Sequence, residues 1–186
     1  MINKKHSEKG NMGMEFVFET KYDQKALTAM ARTLRLTLRK KRSRRSHLLG
    51  FVLIVICLII VIPGGEDYSF DMRKAVTALV ALVLLLVLMF EDWLNGYTAR
   101  KRMLPGTEKS VAVFTEDGYT SEVDIGKSEW SYEKMQLIAE TKDYFVFVFS
   151  QSHAQVYDKA HLTGGTADEF REFITRKTGK IVEYIK

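Results

Sequence analysis

Histidine and cysteine side chains are the groups of this chain with which metal binding or nucleophilic chemistry would begin. The four histidines, His6, His47, His153 and His161, show no ligand spacing such as His-x-x-x-His. The single cysteine, Cys57, lies in a long apolar run and has no partner for a disulfide bond within the chain. A cysteine in such a run is typical of a small packing residue. The sequence therefore predicts no metal site and no nucleophile.

Motifs for phosphate binding and acyl transfer are absent from the sequence. No GxxxxGK[ST], GxGxxG or GxSxG pattern occurs, and Gly164-Gly165 is interpreted as the lead into a helix. The carboxylate pairs Glu91-Asp92 and Glu116-Asp117 are expected to be solvated or to lie in turns. The first pair could also bind basic residues one or two helical turns later. We therefore expect no catalytic residues, no cofactor and no enzymatic activity.

Basic residues occur in two clusters that suggest contact with a negatively charged surface. The clusters consist of Arg39, Lys40, Lys41, Arg42, Arg44 and Arg45, and of Arg100, Lys101 and Arg102. Such clusters can bind nucleic acid or attract anionic lipid, at about 1 kcal/mol for each Lys or Arg near the surface. The first cluster directly precedes an apolar run and the second cluster follows another, so membrane topology with incidental lipid contact is the economical explanation. No nucleic-acid partner is expected.

Two uncharged apolar runs, at residues 46–65 and 75–90, are the elements that would hold these clusters in place. A membrane-spanning helix needs about 20 apolar residues. The first run meets that length, and Trp93 and Leu94 can extend the second. The alternative is a buried helix of a soluble core, but such helices usually keep a polar face and neither run has one. We predict a transmembrane hairpin over residues 47–98, with spans at about 47–63 and 75–94.

The charge distribution predicts the orientation of this hairpin. Residues 1–47 contain 13 Lys and Arg against 4 Asp and Glu, a net charge of +9, whereas residues 105–186 have a net charge of −4. Lys and Arg are retained on the cytoplasmic side of a membrane. Both termini are therefore expected in the cytoplasm, with residues 63–74 outside. Neither run has an ionisable residue in its middle, which argues against proton or ion transport.

The segment before the hairpin has the pattern of a strand followed by an amphipathic helix. Residues 1–13 are polar and predicted to be a disordered tail, and residues 14–19 have β-type composition. Asp23 is a candidate helix cap. One helical face is formed by Leu27, Met30, Leu34 and Leu38. We therefore predict a strand and a basic amphipathic helix within residues 14–46.

Residues 105–186 have the pattern of a small antiparallel β domain closed by a helix. Asp117-Gly118 lies between two β-type runs, which is a strong hairpin signal. Residues 144–149 are β-branched or aromatic, as in a strand that is covered on both faces. Thr166 and Glu169 form a capping box at the start of a helix, and Gly179 is placed to end it. The fold class is therefore α+β, with a two-helix hairpin and this β domain.

Particular residues of this domain resemble those of the bacterial YcxB-like membrane proteins. They are Phe114 with Asp117-Gly118, Trp130, Thr141-Lys142 followed by Tyr144-Phe145, Lys159 and Phe170. The order of strand, helix, two spans and β domain is similar as well. The resemblance implies a fold similar to pleckstrin-homology domains, but no established activity and no catalytic residues.

The expected function is non-catalytic: a bacterial inner-membrane protein that presents its cytoplasmic domain for partner binding, tethering or sensing. The expected partners are the lipid bilayer and a protein, either a different chain or a second copy. In pleckstrin-like domains the first hairpin loop is the usual headgroup site, but here Glu116 and Asp117 would repel phosphate. A sheet edge or groove is therefore the expected binding surface. The alternatives are an accessory subunit of a membrane enzyme or transporter and a lipid-sensing module.

Overall fold

The computed structural model describes residues 15–62 and 71–185, so the expected disordered tail and most of the loop between the apolar runs lie outside the described residues. The helices are α1 (Gln24–Leu36), α2 (Lys40–Val61), α3 (Met72–Met89), α4 (Glu91–Lys101) and α5 (Ala167–Thr178). The strands are β1 (Phe16–Lys21), β2 (Lys109–Phe114), β3 (Tyr119–Val123), β4 (Gly126–Trp130), β5 (Leu137–Glu140), β6 (Tyr144–Val148), β7 (Ala154–Asp158), β8 (Leu162–Thr163) and β9 (Val182–Tyr184). The α+β class is confirmed.

Strand β1 forms an inner strand of the first sheet, whose order is β4-β3-β2-β1-β8 with antiparallel pairing throughout. Alternate side chains of β1, namely Phe16, Phe18 and Thr20, are buried, as expected for a strand with one face on a core. Residues 14–46 and 105–186, which the sequence divided into two segments, therefore share one folded unit. The two apolar helices are inserted between β1 and β2 in the chain.

The second sheet has the order β7-β6-β5-β9 and is mixed, because β9 runs parallel to β5. All five residues of β6 are buried, which confirms the prediction of a strand covered on both faces. Phe145 and Phe147 face the core shared with the first sheet, whereas Val146 and Val148 belong to a smaller apolar cluster with Ala26 of α1. Helix α1 therefore covers the outer face of this sheet.

Helix α5 closes the core between the sheets. Thr166 and Glu169 make the predicted capping box, and Gly179 ends the helix in the left-handed conformation at φ 65°. Phe170 is fully buried, with its ring centroid 4.7 Å from that of Phe18 and 5.0 Å from that of Phe114. Trp130, one of the residues that carry the family resemblance, is partly buried and packs at the margin of the core.

Helices α2 and α3 lie side by side and are long and apolar enough to cross a membrane. They approach closely where a Cβ atom on Gly50 would lie 2.9 Å from a methyl group of Leu88. Only Ile54 in α2 and Ala81 in α3 are buried, so nearly all the apolar side chains of both helices point outward. Helix α3 ends at Met89, so Trp93 and Leu94 lie in α4 rather than extending the second apolar helix.

The packing of α5 on both sheets leads to the first prediction. A Phe170→Ala substitution should lower the free energy of unfolding by about 3–5 kcal/mol, because it leaves a cavity among buried rings. Thermal unfolding of the full chain in detergent would measure this loss. The matched substitution Phe51→Ala, at a side chain 63% exposed on α2, should change the melting temperature much less. Equal melting temperatures for Phe170→Ala and the unaltered protein would contradict the packing.

Candidate functional site

Helix α1 packs on the second sheet with one face and on α4 with another, and we call the α1–α4 pair the bracket. The two helices are in close contact at Gly96, where a Cβ atom would lie 2.8 Å from the backbone nitrogen of Thr28. Glycine is therefore required at this position for the observed spacing. The side-chain amide of Gln24 donates a 2.9 Å hydrogen bond to the carbonyl oxygen of Trp93. Asp23 accepts from the backbone nitrogen of Ala26 and caps α1, as predicted.

A bidentate ion pair joins the last turn of α1 to the first turn of α4. Arg35 Nε and a terminal nitrogen of the same guanidinium donate to the two carboxylate oxygens of Asp92, each at 2.6 Å. The side chains are 24% and 18% exposed, so the pair is partly withdrawn from water. Such fork-to-fork geometry fixes orientation as well as distance. Asp92 is therefore paired with a residue of α1 and not with the basic cluster at Arg100–Arg102 that follows it.

Glu91 joins α4 to α2. Its carboxylate lies 2.6 Å from Nε2 of His47 and 3.8 Å from Nε of Arg35. The contact places the last polar side chain before the apolar part of α2 beside the first polar side chain after α3. The expectation that Glu91 and Asp92 are simply solvated is therefore wrong, and sequence reasoning missed Arg35 and His47 as their partners.

The first basic cluster lies at the base of the apolar helices. Lys40, Lys41, Arg42, Arg44 and Arg45 occupy the first two turns of α2 and are exposed. Arg39 immediately precedes the helix, and its Nε donates a 2.6 Å hydrogen bond to the carbonyl oxygen of Gln151 in the loop between β6 and β7. Arg39 therefore connects the base of α2 directly to the β domain.

The second basic cluster lies at the C-terminal end of α4. Arg100 and Lys101 end α4, and Arg102 follows them and lines a cavity with Tyr22 and Trp130. Helix α4 has 11 residues, so its two ends are about 16 Å apart. The structure therefore does not bring the two predicted clusters together into one surface.

A groove of about 540 Å³ runs beside the bracket, between α1, α4, the turn from β5 to β6, and the C-terminal strand. Its lining includes Lys25, Ala29, Trp93, Tyr144, Tyr184 and Ile185. The lining is mainly apolar, and an ion pair of 2.9 Å between Lys25 and Asp143 lies at the edge. Both partners are well exposed, so this ion pair contributes little to stability.

The hairpin loop at Glu116-Asp117-Gly118 is held against helix α5. Glu116 pairs with Lys177 and lies 3.4 Å from Arg176. The hydrogen bond from Lys177 lowers the pKa of Glu116, so the loop keeps its negative charge at neutral pH. The nearest basic side chains of α5 are thereby already occupied by a carboxylate, which leaves this loop poorly suited to a phosphate group.

Among the described residues, the most buried carboxylate is that of Glu140, whose side chain is 6% exposed at the end of β5. Lys159 Nζ donates to one carboxylate oxygen at 2.5 Å, and Arg171 Nε donates to the other at 2.5 Å. Burial by itself would raise the pKa of Glu140, but the hydrogen bonds from Arg171 and Lys159 outweigh it and leave this pKa below its usual value. The cluster links β5, the segment after β7 and α5, and it opens into none of the cavities described above.

Of this cluster, the sequence pointed only to Lys159, through the family resemblance. Glu140 carried a local signal, since a carboxylate at the end of an apolar strand needs a partner when it is buried. Arg171 carried none, because it lies on a helix that is otherwise rich in charge. Lys159 Nζ also donates to the carbonyl oxygens of Thr141 at 2.6 Å and Lys142 at 3.3 Å, so the lysine is fully engaged. We interpret the role of the cluster as structural, because it holds β5, the segment after β7 and α5 together.

This arrangement predicts a pH-dependent contribution to stability. Because the folded-state pKa of Glu140 is lowered, its contribution is present above the unfolded pKa of about 4.3 and is lost as pH falls through the folded pKa. The substitution Glu140→Gln should lower the free energy of unfolding by about 3 kcal/mol at neutral pH. This value is the low end of the range for breaking a buried ion pair. Melting of the full chain from pH 7 to pH 3 should show this difference narrowing with acid. The control Glu129→Gln makes the same charge change on the exposed strand β4 and should have little effect on the melting temperature. Identical dependence of melting temperature on pH in the two variants would contradict the role of Glu140.

The comparisons with known proteins add one finding. A family model described as YcxB-like protein matches residues 114–174. No curated protein and no solved structure matches the chain. The matched segment runs from the end of β2 into α5 and includes Glu140, Lys159 and Arg171, but it leaves out β1, α1 and both apolar helices. The resemblance noted in the sequence is confirmed over residues 114–174, which match the YcxB-like family model.

Proposed function

We propose that this protein is a non-catalytic integral membrane protein of the bacterial cell membrane. Its two apolar helices would hold a pleckstrin-like domain at the cytoplasmic surface, where the domain binds a protein partner. The observation that carries the proposal is the position of α1, which packs on the second sheet and on α4 at the same time. The β domain is thereby packed against the base of the helix pair and is not connected to it only by a flexible linker.

The surface of α2 and α3 supports the membrane placement. Apolar side chains point outward along both helices, with exposures such as 68% at Ile59 and 59% at Leu79. In water such a surface would be strongly unfavourable, at roughly 25 cal/mol for each Å² of apolar area. A lipid environment removes that cost, and the helices satisfy their own backbone hydrogen bonds, as a membrane requires.

The distribution of charge supports an orientation with both termini in the cytoplasm. The exposed basic residues of the first α2 turns, such as Lys41 and Arg44, lie at the same end of the helix pair as the β domain. Arg100 and Lys101 follow α3 on that same side, within α4. Arg73 and Lys74 lie at the opposite end of the pair, in the first turn of α3, so the larger positive charge is on the side of the β domain, which is the pattern of cytoplasmic retention.

The architecture of the β domain supports the pleckstrin-like assignment. A five-stranded and a four-stranded sheet enclose one aromatic core, and the C-terminal helix α5 packs across it through Phe170. The loop that usually receives a lipid headgroup in such domains is acidic here and is paired to Lys177. This favours a protein ligand over headgroup recognition at that loop.

The groove beside the bracket is the surface that we assign to the partner. Its mainly apolar lining would receive an apolar anchor side chain, and a groove of this size is within the range of about 300–1,000 Å³ seen for binding sites. One wall is formed by Tyr184 and Ile185, at the end of a strand of only three residues. Tyr184 is 61% exposed, so a binding partner would bury apolar surface at this wall.

The proposed topology leads to a prediction for reporter fusions. Fusions after Gly10, after Gly106 and after Lys186 should all report the cytoplasm, because the basic clusters flank both apolar helices on one side. A tag inserted at Gly65 should react with an impermeant reagent added outside intact cells. Opposite locations for the fusions at Gly10 and Lys186 would show that only one helix spans.

The partner assignment leads to a prediction for photocrosslinking in intact membranes. A photoreactive phenylalanine in place of Tyr184 should give a discrete crosslinked product, whereas the same group at exposed Glu129 should not. Ala29→Phe, which adds a ring inside the groove, should remove most of that product. The melting temperature of this variant is the control for folding, because Ala29 also packs against the apolar cluster under α1. A product of equal yield in the presence of Ala29→Phe would contradict binding in this groove.

A further inference from the structure

A polar cavity of about 490 Å³ lies at the base of the apolar helices, between α1, the first turns of α2, the start of α4 and the loop between β6 and β7. Arg42 and Ser46 on its α2 wall precede the first apolar residue, Leu48, by six and two positions. At about 1.5 Å per residue these positions lie about 3–9 Å from the start of the apolar surface. Each polar layer of a bilayer is about 5–8 Å thick. In the membrane placement proposed above, on which this inference rests, the cavity therefore lies at the depth of the lipid headgroups.

The lining of the cavity is rich in donors that suit a phosphate group. It includes Arg35, Arg39, Arg42, Ser43, Ser46 and Asn95. Arg39, Arg42, Ser43 and Ser46 recur at three- and four-residue spacing, so they lie on one side of the start of α2. Guanidinium groups present forked donors that match phosphate oxygens, and hydroxyl groups add further donors.

The charges in the cavity do not cancel. Arg35 is neutralised by Asp92, and the carboxylate of Glu91, which also lines the cavity, is bound to His47. Arg39 donates to a neutral carbonyl oxygen, that of Gln151. Within residues 15–62 and 71–185, no carboxylate lies within salt-bridge distance of Arg39 or Arg42. Three arginines, Arg35, Arg39 and Arg42, therefore face two carboxylates, those of Asp92 and Glu91, so the surroundings of the cavity keep an excess of positive charge, and Arg39 and Arg42 have no carboxylate partner within these ranges.

We propose that this cavity binds the phosphodiester of an anionic phospholipid. Arg42 and the free nitrogens of Arg39 would hold the phosphate oxygens, and Ser46 would donate a hydrogen bond to the headgroup, whereas the hydroxyl of Ser43 donates to Glu91. The site differs from the acidic hairpin loop of the β domain, and it is built where the membrane helices begin. A lipid is favoured over a soluble phosphate because the cavity lies at the headgroup depth, where the local concentration of lipid phosphate is high.

A bound lipid would join the two parts of the molecule. Ser152 and Gln151, in the loop between β6 and β7, form the wall opposite α2. Arg39 already spans this gap through its bond to Gln151. A phosphate held between them adds a second link, so the docking of the β domain on the bracket would respond to the anionic lipid content of the membrane.

Native mass spectrometry of the full chain in a neutral detergent would test the site. Phosphatidylglycerol is added to the unaltered protein, to Arg42→Gln and to Arg44→Gln, which removes the same charge from the α2 side away from the cavity. Arg42→Gln should weaken retention of the lipid about tenfold, the effect of one lost charge-assisted hydrogen bond. Arg44→Gln should leave retention within about twofold. Arg42→Lys should be intermediate, because a lysine keeps the charge but not the fork.

Several outcomes would overturn the proposal. Equal losses in Arg42→Gln and Arg44→Gln would mean diffuse attraction by the basic surface. Equal retention of phosphatidylcholine and phosphatidylglycerol by the unaltered protein would remove the anionic selectivity. Displacement of the lipid by inorganic phosphate at comparable concentration would make this a site for soluble phosphate.

Two features of this experiment separate a loss of the lipid site from a loss of the fold and from a failure of the proposed function. Melting of each variant checks that the fold is intact, and Arg42 is exposed, so its replacement should leave the melting temperature unchanged. Retention in detergent does not depend on topology or on a protein partner. If the reporter fusions placed the termini outside the cell while the Arg42-dependent retention persisted, the proposed function would fail and the lipid site would remain.

Discussion

The structure depends on one helix that must be covered on two sides. Helix α1 supplies Ala26 and Leu34 to an apolar cluster on the outer face of the second sheet, with Val146 and Val156. Its other side faces α4, and the contact at Gly96 is too close for any side chain there. Removing either contact would expose apolar surface on α1. The β domain and the base of the apolar helices therefore share a helix, and neither can move far without the other.

Carboxylates that are partly withdrawn from water give this arrangement its specificity. Asp92, Glu91 and Glu140 each bind cationic or imidazole side chains that are remote in the chain. Burying a charge is costly unless it is paired with good geometry. Incorrect arrangements of α1 against α4, or of α5 against the second sheet, would leave such charges unpaired. The pairs thus select one arrangement of elements even where their net stabilisation is modest.

The two proposed binding surfaces lie on either side of the same bracket. The groove with Tyr184 is bounded by α1 and the C-terminal strand, and the arginine cavity is bounded by α1 and the start of α2. Both contain residues of α1 and α4. A change in the packing of these two helices would therefore alter the shape of both surfaces. This offers a physical route by which a lipid headgroup and a protein partner could influence each other across a small distance.

The sequence by itself determined the features that depend on neighbouring residues. The apolar helices, the Asp23 cap, the Asp117-Gly118 hairpin and the capping box of α5 all follow from short-range patterns, and the structure has each of them. Only the tertiary structure decided that β1 lies between β2 and β8, since strand pairing across two inserted helices leaves no local trace. The same is true of Arg35 with Asp92 and of Arg171 with Glu140. These pairs form because packing brings remote residues together in a place from which water is largely excluded, and no spacing along the chain encodes that meeting.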